Sequence, residues 1–270
     1  MYQEKYIKYK TKYIQLMNDN TIQHLQEGGA KSKEIYLIRH GETEWNKKGL
    51  GQGSRNDIPL NETGKDQAKI AGKYFNEYRQ KEKKFDLVLC SPLIRTRETA
   101  YEICKEIDYP IDKIVYFDEL VENDHGLLNI GKTDKEMRKD KFYNTFFKTI
   151  DELEKIKDPI EFHIKYEEIY EPLAEKYEFE LHEKLRKRSI KIINYIKKCD
   201  KSKILIVSHG GTISNGFIPS LFNVNKIKGD YVNGSNCHIT YITYKNNNFQ
   251  LVYGPSTSYY NLYNKNYGKK

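Results

Sequence analysis

Long apolar runs are missing from this chain. The tightest hydrophobic clusters, Ile35-Tyr-Leu-Ile38 and Ile204-Leu-Ile-Val207, fall far short of the roughly 18 to 20 residues of a membrane-spanning helix, so such a helix is excluded. Cysteine is scarce. Cys90, Cys104, Cys199 and Cys237 are scattered without a Cys-x-x-Cys pair, which argues against both a disulfide scaffold and a zinc ribbon. The N-terminus carries Lys5, Lys8, Lys10 and Lys12, but no apolar core of about 7 to 15 residues and no small-residue cleavage site follows. No secretory signal is expected, and the expected compartment is intracellular, in the cytoplasm. A phosphate-cradling Gly-x-x-x-x-Gly-Lys-Ser/Thr loop is also lacking, and Gly51-Gln-Gly53 is too short for a dinucleotide fingerprint. Kinase and nucleotide-dehydrogenase chemistries therefore fall.

What is present is the composition of a globular protein. The chain has 270 residues, 38% hydrophobic and 31% charged, enough for one large or two small domains. Its net charge of +8 is concentrated at the ends. Residues 1–33 hold six lysines against Glu4, Asp19 and Glu27, while residues 248–270 hold Lys265, Lys269 and Lys270 with no acid, which leaves +2 on the body. A nucleic-acid enzyme more often carries its surplus along a groove of the folded domain, so nucleic acid is expected only as weak binding by the basic tails. Tyrosine is abundant, at 23 residues, but so are Lys, Ile and Asn, all with A/T-rich codons, and the excess is discounted as a functional signal.

Along the chain, Tyr2, Tyr6, Tyr9, Tyr13 and Leu16 form a heptad-like stripe that predicts a short amphipathic helix. Gly28-Gly29 breaks this pattern, so residues 1–33 read as a helical leader and linker, more plausibly docked on the main domain or a partner than inserted at a membrane surface. From Glu34 onward, short apolar runs alternate with helical stretches. Ile35–Ile38, Leu87–Leu89 and Ile204–Val207 read as buried strands, and helices are expected near 63–80, 95–107 and 181–198. This alternation predicts an α/β fold: a three-layer α/β/α sandwich with a mostly parallel central sheet over residues 34–253. Residues 133–180 read as a helical insertion able to cap the sheet's crevice, Cys237–Tyr244 and Phe249–Tyr253 as an edge hairpin, and residues 254–270 as a flexible tail.

The three buried strands run directly into Arg39-His40-Gly41, Ser91-Pro92 and Ser208-His209-Gly210. In open α/β sheets, ligands gather beyond the carboxyl ends of the strands, so these turns are expected to converge. Arg39 and Arg95 would offer planar forks matched to phosphate oxygens. His40 and His209 would offer a nucleophile and a hydrogen-bonding partner, and nearby cations would keep His40 unprotonated. This set needs no metal, and none is expected. His24, His125, His163, His182 and His238 lack partners at metal spacing and read as structural or solvated.

The segment Leu37-Ile-Arg-His-Gly-Glu-Thr-Glu-Trp-Asn46 resembles the Arg-His-Gly signature of the histidine phosphatase superfamily, also called the phosphoglycerate mutase-like family. The resemblance continues in family order through Gln52-Gly53, Asp57-Ile-Pro-Leu60, Gly64-x-x-Gln67-Ala68, Ser91-Pro-Leu-Ile-Arg95-Thr-x-x-Thr-Ala100 and Val207-Ser-His209-Gly-Gly, covering roughly residues 34–253. It implies that His40 is the nucleophile that becomes phosphohistidine, and that Arg39, Arg95 and His209 complete the phosphate pocket. Asn46, Gln52, Gly53 and Gly210 would be further substrate contacts. Leu120-Val-Glu-Asn-Asp-His-Gly126 is similar to the family segment that supplies the proton-donating carboxylate, which makes Glu122 that carboxylate, with Asp124 and Glu119 as near alternatives.

The resemblance leaves two enzymes to separate. Mutases of this family carry Glu-Arg-His-Tyr-Gly after the catalytic carboxylate and an Arg-Arg-Ser segment for the substrate carboxylate, whereas this chain has Glu122-Asn-Asp-His-Gly126 and no Arg-Arg pair. Gly210-Gly211-Thr212 also looks more like the phosphatase branch. A metal-independent phosphomonoester hydrolase is therefore expected, acting on a phosphorylated small molecule or a phosphoprotein, with no cofactor. A phosphoglycerate mutase dependent on 2,3-bisphosphoglycerate, and a catalytically weak binding or virion-associated module, are the competing readings. Leu50 stands where many members have arginine, an extra residue separates Gly53 from Asp57, and no Gly-Glu-Ser precedes the helix near Leu181. The leader, Lys5-Tyr6-x-x-Tyr9-Lys10-x-Lys12-Tyr13-x-x-Leu16 followed by Gly28-Gly29, resembles an N-terminal segment of proteins from large nucleocytoplasmic DNA viruses. That likeness would place the protein in the host cytoplasm or the virion.

Overall fold

Why the three apolar runs become adjacent strands follows from what covers them. A computed structural model of the chain describes residues 32–79, 84–153, 155–156, 159–222 and 235–256. Among these, strands β1 (Lys33–Arg39), β2 (Leu87–Cys90), β3 (Val115–Tyr116), β4 (Lys203–Ser208), β5 (Ile239–Lys245) and β6 (Asn248–Ser256) form one sheet in the order β3-β2-β4-β1-β5-β6. The first four in that order are parallel, and β5 and β6 add to β1 as an antiparallel edge.

Alternate residues of each central strand enter opposite cores. Tyr36, Ile38, Val88, Cys90, Leu205 and Val207 pack with Ala68, Ala71, Ala100 and Ile103 from helices α1 (Glu62–Tyr74) and α2 (Ile94–Glu106). Ile35, Leu37, Leu87, Leu89, Ile204 and Ile206 pack on the other face with Ile213, Phe217 and helix residues Ile192, Ile193 and Ile196. Burial on both faces explains why these strands read as continuous apolar runs rather than alternating ones. The expected three-layer α/β/α sandwich is observed.

A third cluster lies apart from both. Between β3 and β4 the chain forms α3 (Lys141–Leu153), α4 (Pro159–Tyr177) and α5 (His182–Lys198), of which only α5 belongs to the sandwich. Tyr143, Phe146, Tyr170, Leu173 and Ala174 from α3 and α4 join Leu128 and Met137 in a largely aromatic core of their own. The insertion returns to the sandwich just before α5.

At the C-terminal end the strand runs further than the sequence pattern shows. The first residues of the tail expected from Gly254 are strand, because β6 continues to Ser256, which pairs with Ile239. Pro255 is tolerated there because β6 is the outermost strand of the sheet. The two-residue strand β3 had no periodic pattern to announce it. The leader helix and the remainder of the tail fall outside the described residues.

Ile206 is fully buried in the core beneath α5. Ile206→Ala is expected to lower the unfolding free energy by about 2–5 kcal/mol, measured by urea titration followed by circular dichroism, because the surrounding sheet cannot collapse onto the cavity.

Candidate active site

β1 and β4 run parallel and in register, with Arg39 opposite Ser208. The residues that follow, His40 and His209, therefore emerge side by side at the carboxyl edge, with ring centroids 5.2 Å apart and the rings edge to face. Both imidazoles are buried. The β1 turn is held by its own backbone: the Gly41 N–H donates to Thr99 Oγ1 at 3.0 Å, and the His40 carbonyl accepts from Cys237 N–H and Asn236 Nδ2, each at 3.2 Å. A Cβ at Gly41 would run into the carbonyl of Gly64, and one at Gly64 would run into the carbonyl of Glu42. Two glycines let the first turn of α1 press directly on the Arg-His-Gly turn.

His40 Nδ1 lies 2.7 Å from the Gly41 carbonyl oxygen. A carbonyl can only accept, so Nδ1 carries the ring proton and Nε2 keeps its lone pair. Burial, more than the neighbouring Arg95 and Arg39 cations, drives the His40 pKa well below that of an ordinary imidazole. The sequence pointed to the cations; desolvation is the larger cause.

Arg95, in the first turn of α2, is fully buried. Its Nε–H donates to His209 Nδ1 at 3.2 Å, Nη1 to the Asn56 carbonyl at 3.0 Å and Nη2 to the Gly53 carbonyl at 2.8 Å. Of the five N–H donors of a guanidinium, two remain for an incoming anion. Burial lowers its pKa to about 10, which still leaves it a cation at neutral pH. His209 accepts from Arg95 at Nδ1, so its Nε2–H donates to Ser91 Oγ at 2.8 Å. Its pKa is likewise pushed far down, first by burial and then by Arg95. Arg39 lies at the end of β1, where burial lowers its pKa and Glu122 counteracts. The backbone of Gly210 comes close to its guanidinium: a Cβ there would sit 3.4 Å from Arg39 Nε.

Glu122 completes the cluster. Its Oε1 accepts from the N–H groups of Asn123 and Thr212 at 3.0 and 2.9 Å, and Oε2 accepts from Gly211 N–H at 3.3 Å. Thr212 Oγ1 lies 3.3 Å from Oε1. Gly211 must be small, since a Cβ would collide with Asn123 Oδ1 and lie 2.8 Å from Glu122 Oε1. The two alternative carboxylates are engaged elsewhere. Asp124 takes Arg55 Nε at 2.8 Å and the Gly126 N–H at 2.9 Å, and Glu119 faces Lys191 at 3.3 Å.

The remaining expected contacts divide. Asn46 Oδ1 accepts from the Thr43 N–H and hydroxyl, as the return half of a helix capping box, and from Asn236 Nδ2 at 3.1 Å. Its oxygen is thus used by the fold, and only its amide NH₂ is left for a ligand. Gln52 is buried, with Oε1 lacking a hydrogen-bond partner among the described residues. Gly53 adopts φ +59°, and its carbonyl is the one that anchors Arg95. Sequence reasoning passed over Ser91, Thr99, Thr212 and Asn236, which orient the histidines, the turn and the carboxylate. The first three stand in or beside recognised blocks, and of these Ser91, a hydroxyl directly after a strand, was a readable signal; Asn236 stands in no block. His125 links Asn123 to Asn129, His182 stacks on Tyr170 at 4.3 Å, and His238 Nδ1 meets the Ser235 carbonyl. Among the described residues, no three His, Cys, Asp or Glu side chains are grouped as a metal ion would require.

This arrangement coincides with a known family. The family model described as histidine phosphatase superfamily, branch 1, matches residues 35–254. The chain belongs to the histidine phosphatase superfamily. Among its relatives is the "uncharacterized phosphatase PhoE" of Bacillus subtilis, 39% identical over 92 residues, a stretch that spans 34% of this chain and 43% of that one. The superfamily fold is also seen in a phosphoserine phosphatase of Entamoeba histolytica in complex with phosphoserine, with TM-score 0.60, 23% identity, and coverage of 84% of this chain and 98% of that one. A phosphoglycerate mutase of Bacillus anthracis matches with TM-score 0.63 and 21% identity over 85% of this chain and 96% of that one.

The depressed imidazole pKa values carry a pH consequence for this superfamily member. Below about pH 6.5 the unfolded chain binds protons at His40 and His209 that the folded chain does not. This contribution to stability is fully present above pH 6.5 and is lost as pH falls, by about 1.4 kcal/mol per pH unit per histidine, until the folded pKa values are reached. Urea midpoints recorded from pH 7 down to pH 5 are expected to decline, and to decline less steeply in His209→Gln.

Proposed function

We propose that the protein is a metal-independent phosphomonoester hydrolase that works through a phosphohistidine on His40. The observation that carries this reading is the Nδ1–H bond from His40 to Gly41, which leaves a neutral, buried Nε2 lone pair in the field of the Arg95 and Arg39 guanidiniums. Arg39 and Arg95 hold the substrate's phosphoryl oxygens and neutralise the charge that develops on them, with His209, Asn46, Gln52, Gly53 and Gly210 as further contacts. His40 Nε2 attacks phosphorus while the ester P–O bond breaks. Glu122 acts as the acid, delivering a proton to the leaving oxygen and ending the step as the carboxylate. The Gly41 carbonyl then accepts from the Nδ1–H of the positively charged phosphoimidazole. In the second half-reaction the Glu122 carboxylate takes a proton from water as that water attacks phosphorus, the P–N bond breaks, and inorganic phosphate leaves with His40 neutral again.

The substrate class proposed is a small phosphorylated molecule, or a phosphoprotein side chain; the phosphoserine-bound Entamoeba relative supports the former. The mutase reading draws on the phosphoglycerate mutase neighbour. Against it, Arg55 and Arg188, the arginines beside the Glu122 segment, are already held by Asp124, Glu178 and Glu180. No helix among the described residues is long and apolar enough to cross a membrane. We assign the enzyme to the cytoplasm and the leader to sorting, of a viral type, through its Lys-Tyr pattern.

The deciding experiment is phosphate release from p-nitrophenyl phosphate, phosphoserine and 3-phosphoglycerate in EDTA. Activity is expected to survive EDTA and to vanish in His40→Ala, and, on the alkyl esters phosphoserine and 3-phosphoglycerate, to fall by about 10²- to 10⁴-fold in Glu122→Gln. Acid quenching is expected to release the label from a ³²P-enzyme that alkali leaves intact. Loss of activity with EDTA, or full activity in His40→Ala, would overturn the proposal. Net transfer between glycerate positions after priming with 2,3-bisphosphoglycerate, without phosphate release, would establish the mutase.

A further inference from the structure

Behind Glu122 lies a buried ion pair that the chemistry above does not use. Arg188, on α5, meets Glu180 through two parallel bonds, Nε to Oε1 at 2.9 Å and Nη2 to Oε2 at 3.0 Å, with side chains 13% and 7% exposed. The third nitrogen, Nη1, donates to the carbonyls of Glu119 and Val121 at 2.6 and 2.7 Å. Glu180 reaches the far side of the same segment, where Oε2 accepts from Asp124 N–H at 3.3 Å and its own N–H donates to the Asp124 carbonyl at 2.8 Å. The backbone is thus gripped at positions 119, 121 and 124, and Glu122 lies within the grip.

The partner that brings Glu180 there is the insertion. Its α4 residue Tyr170 donates its hydroxyl to the Glu180 carbonyl at 2.9 Å, and the Tyr170 ring stacks on His182 at the start of α5. Arg55 adds an outer tie, bonding Asp124 and Glu178 from the loop that also carries Gly53.

A buried ion pair is a weak device for stability, because the cost of removing both charges from water cancels most of their attraction. What this pair supplies is direction: every remaining bond of Arg188, and two of Glu180, fall on one short segment. Resting on the reading of Glu122 as proton donor, we propose that Arg188 and Glu180 are positioning residues that hold the Glu122 carboxylate in line with the leaving oxygen, and that the insertion serves the chemistry by presenting Glu180.

The test compares leaving groups. An alkyl leaving oxygen needs its proton as the P–O bond breaks, whereas p-nitrophenolate departs well without one, so the two substrates separate acid placement from everything else. The quantity to measure is kcat/KM, which reports steps only up to phosphoryl transfer to His40. For Arg188→Ala, kcat/KM on phosphoserine is expected to fall about 10- to 100-fold, the scale of an ångström's misplacement, and far less on p-nitrophenyl phosphate. Inhibition by inorganic phosphate should be unchanged, since Arg39, Arg95 and His209 are intact. Arg188→Lys keeps the charge but not the fork, and Glu180→Gln keeps an acceptor for Asp124; both should show the same leaving-group bias at smaller size. These two variants decide the matter should Arg188→Ala not fold. Equal losses on both substrates, or none on phosphoserine, would overturn the assignment while leaving the phosphatase reading in place. A wild type that hydrolyses neither substrate would remove that reading, and this one with it.

Discussion

The in-register pairing of parallel β1 and β4 is the constraint on which the site depends. Because Arg39 faces Ser208, the next residue of each strand leaves the sheet at the same height, and two histidines separated by 169 positions arrive within 5.2 Å of one another. A slip of one residue would send every inward side chain of a strand to the other face. With Ile35, Leu37, Ile204 and Ile206 packed in one core and Tyr36, Ile38, Leu205 and Val207 in the other, a slip would force each set of side chains into a core shaped for the other. The hydrophobic cores set the spacing of the two histidines.

Electrostatics then follow from burial. Two arginines and two imidazoles share a dry site at the rim of the sheet, and the fold resolves their repulsion by keeping both imidazoles neutral. Each ring has its proton assigned by an obligate acceptor or donor: the Gly41 carbonyl for His40, the Arg95 Nε–H for His209. Glu122, held on the N–H groups at the start of the helical stretch after His209, supplies the opposing charge.

How far the sequence carried this can be seen residue by residue. The central strands were legible because burial on both faces produces an unbroken apolar run, and Arg39, His40, Arg95 and His209 were legible because each follows or sits near such a run. β3 was not, being two residues long. Glu122 was picked out only by its likeness to a family segment, with Glu119 and Asp124 as alternatives within six positions; in the fold Arg55 engages Asp124 and Lys191 faces Glu119, from segments that sequence spacing does not bring together. Arg188 carries no signal in the sequence, because its carbonyl partners at Glu119 and Val121 are 69 and 67 positions away.

The aromatic core formed by α3 and α4 has no buried residue in common with either sandwich core. Such a unit is modular in the sense that matters for divergence. Its length, helix count and outer surface can drift between lineages without disturbing the sheet, provided that the returning chain still delivers one carboxylate to Arg188. Selection can then act on the insertion's own surface, while a single ion pair keeps the altered insertion compatible with the segment that carries Glu122.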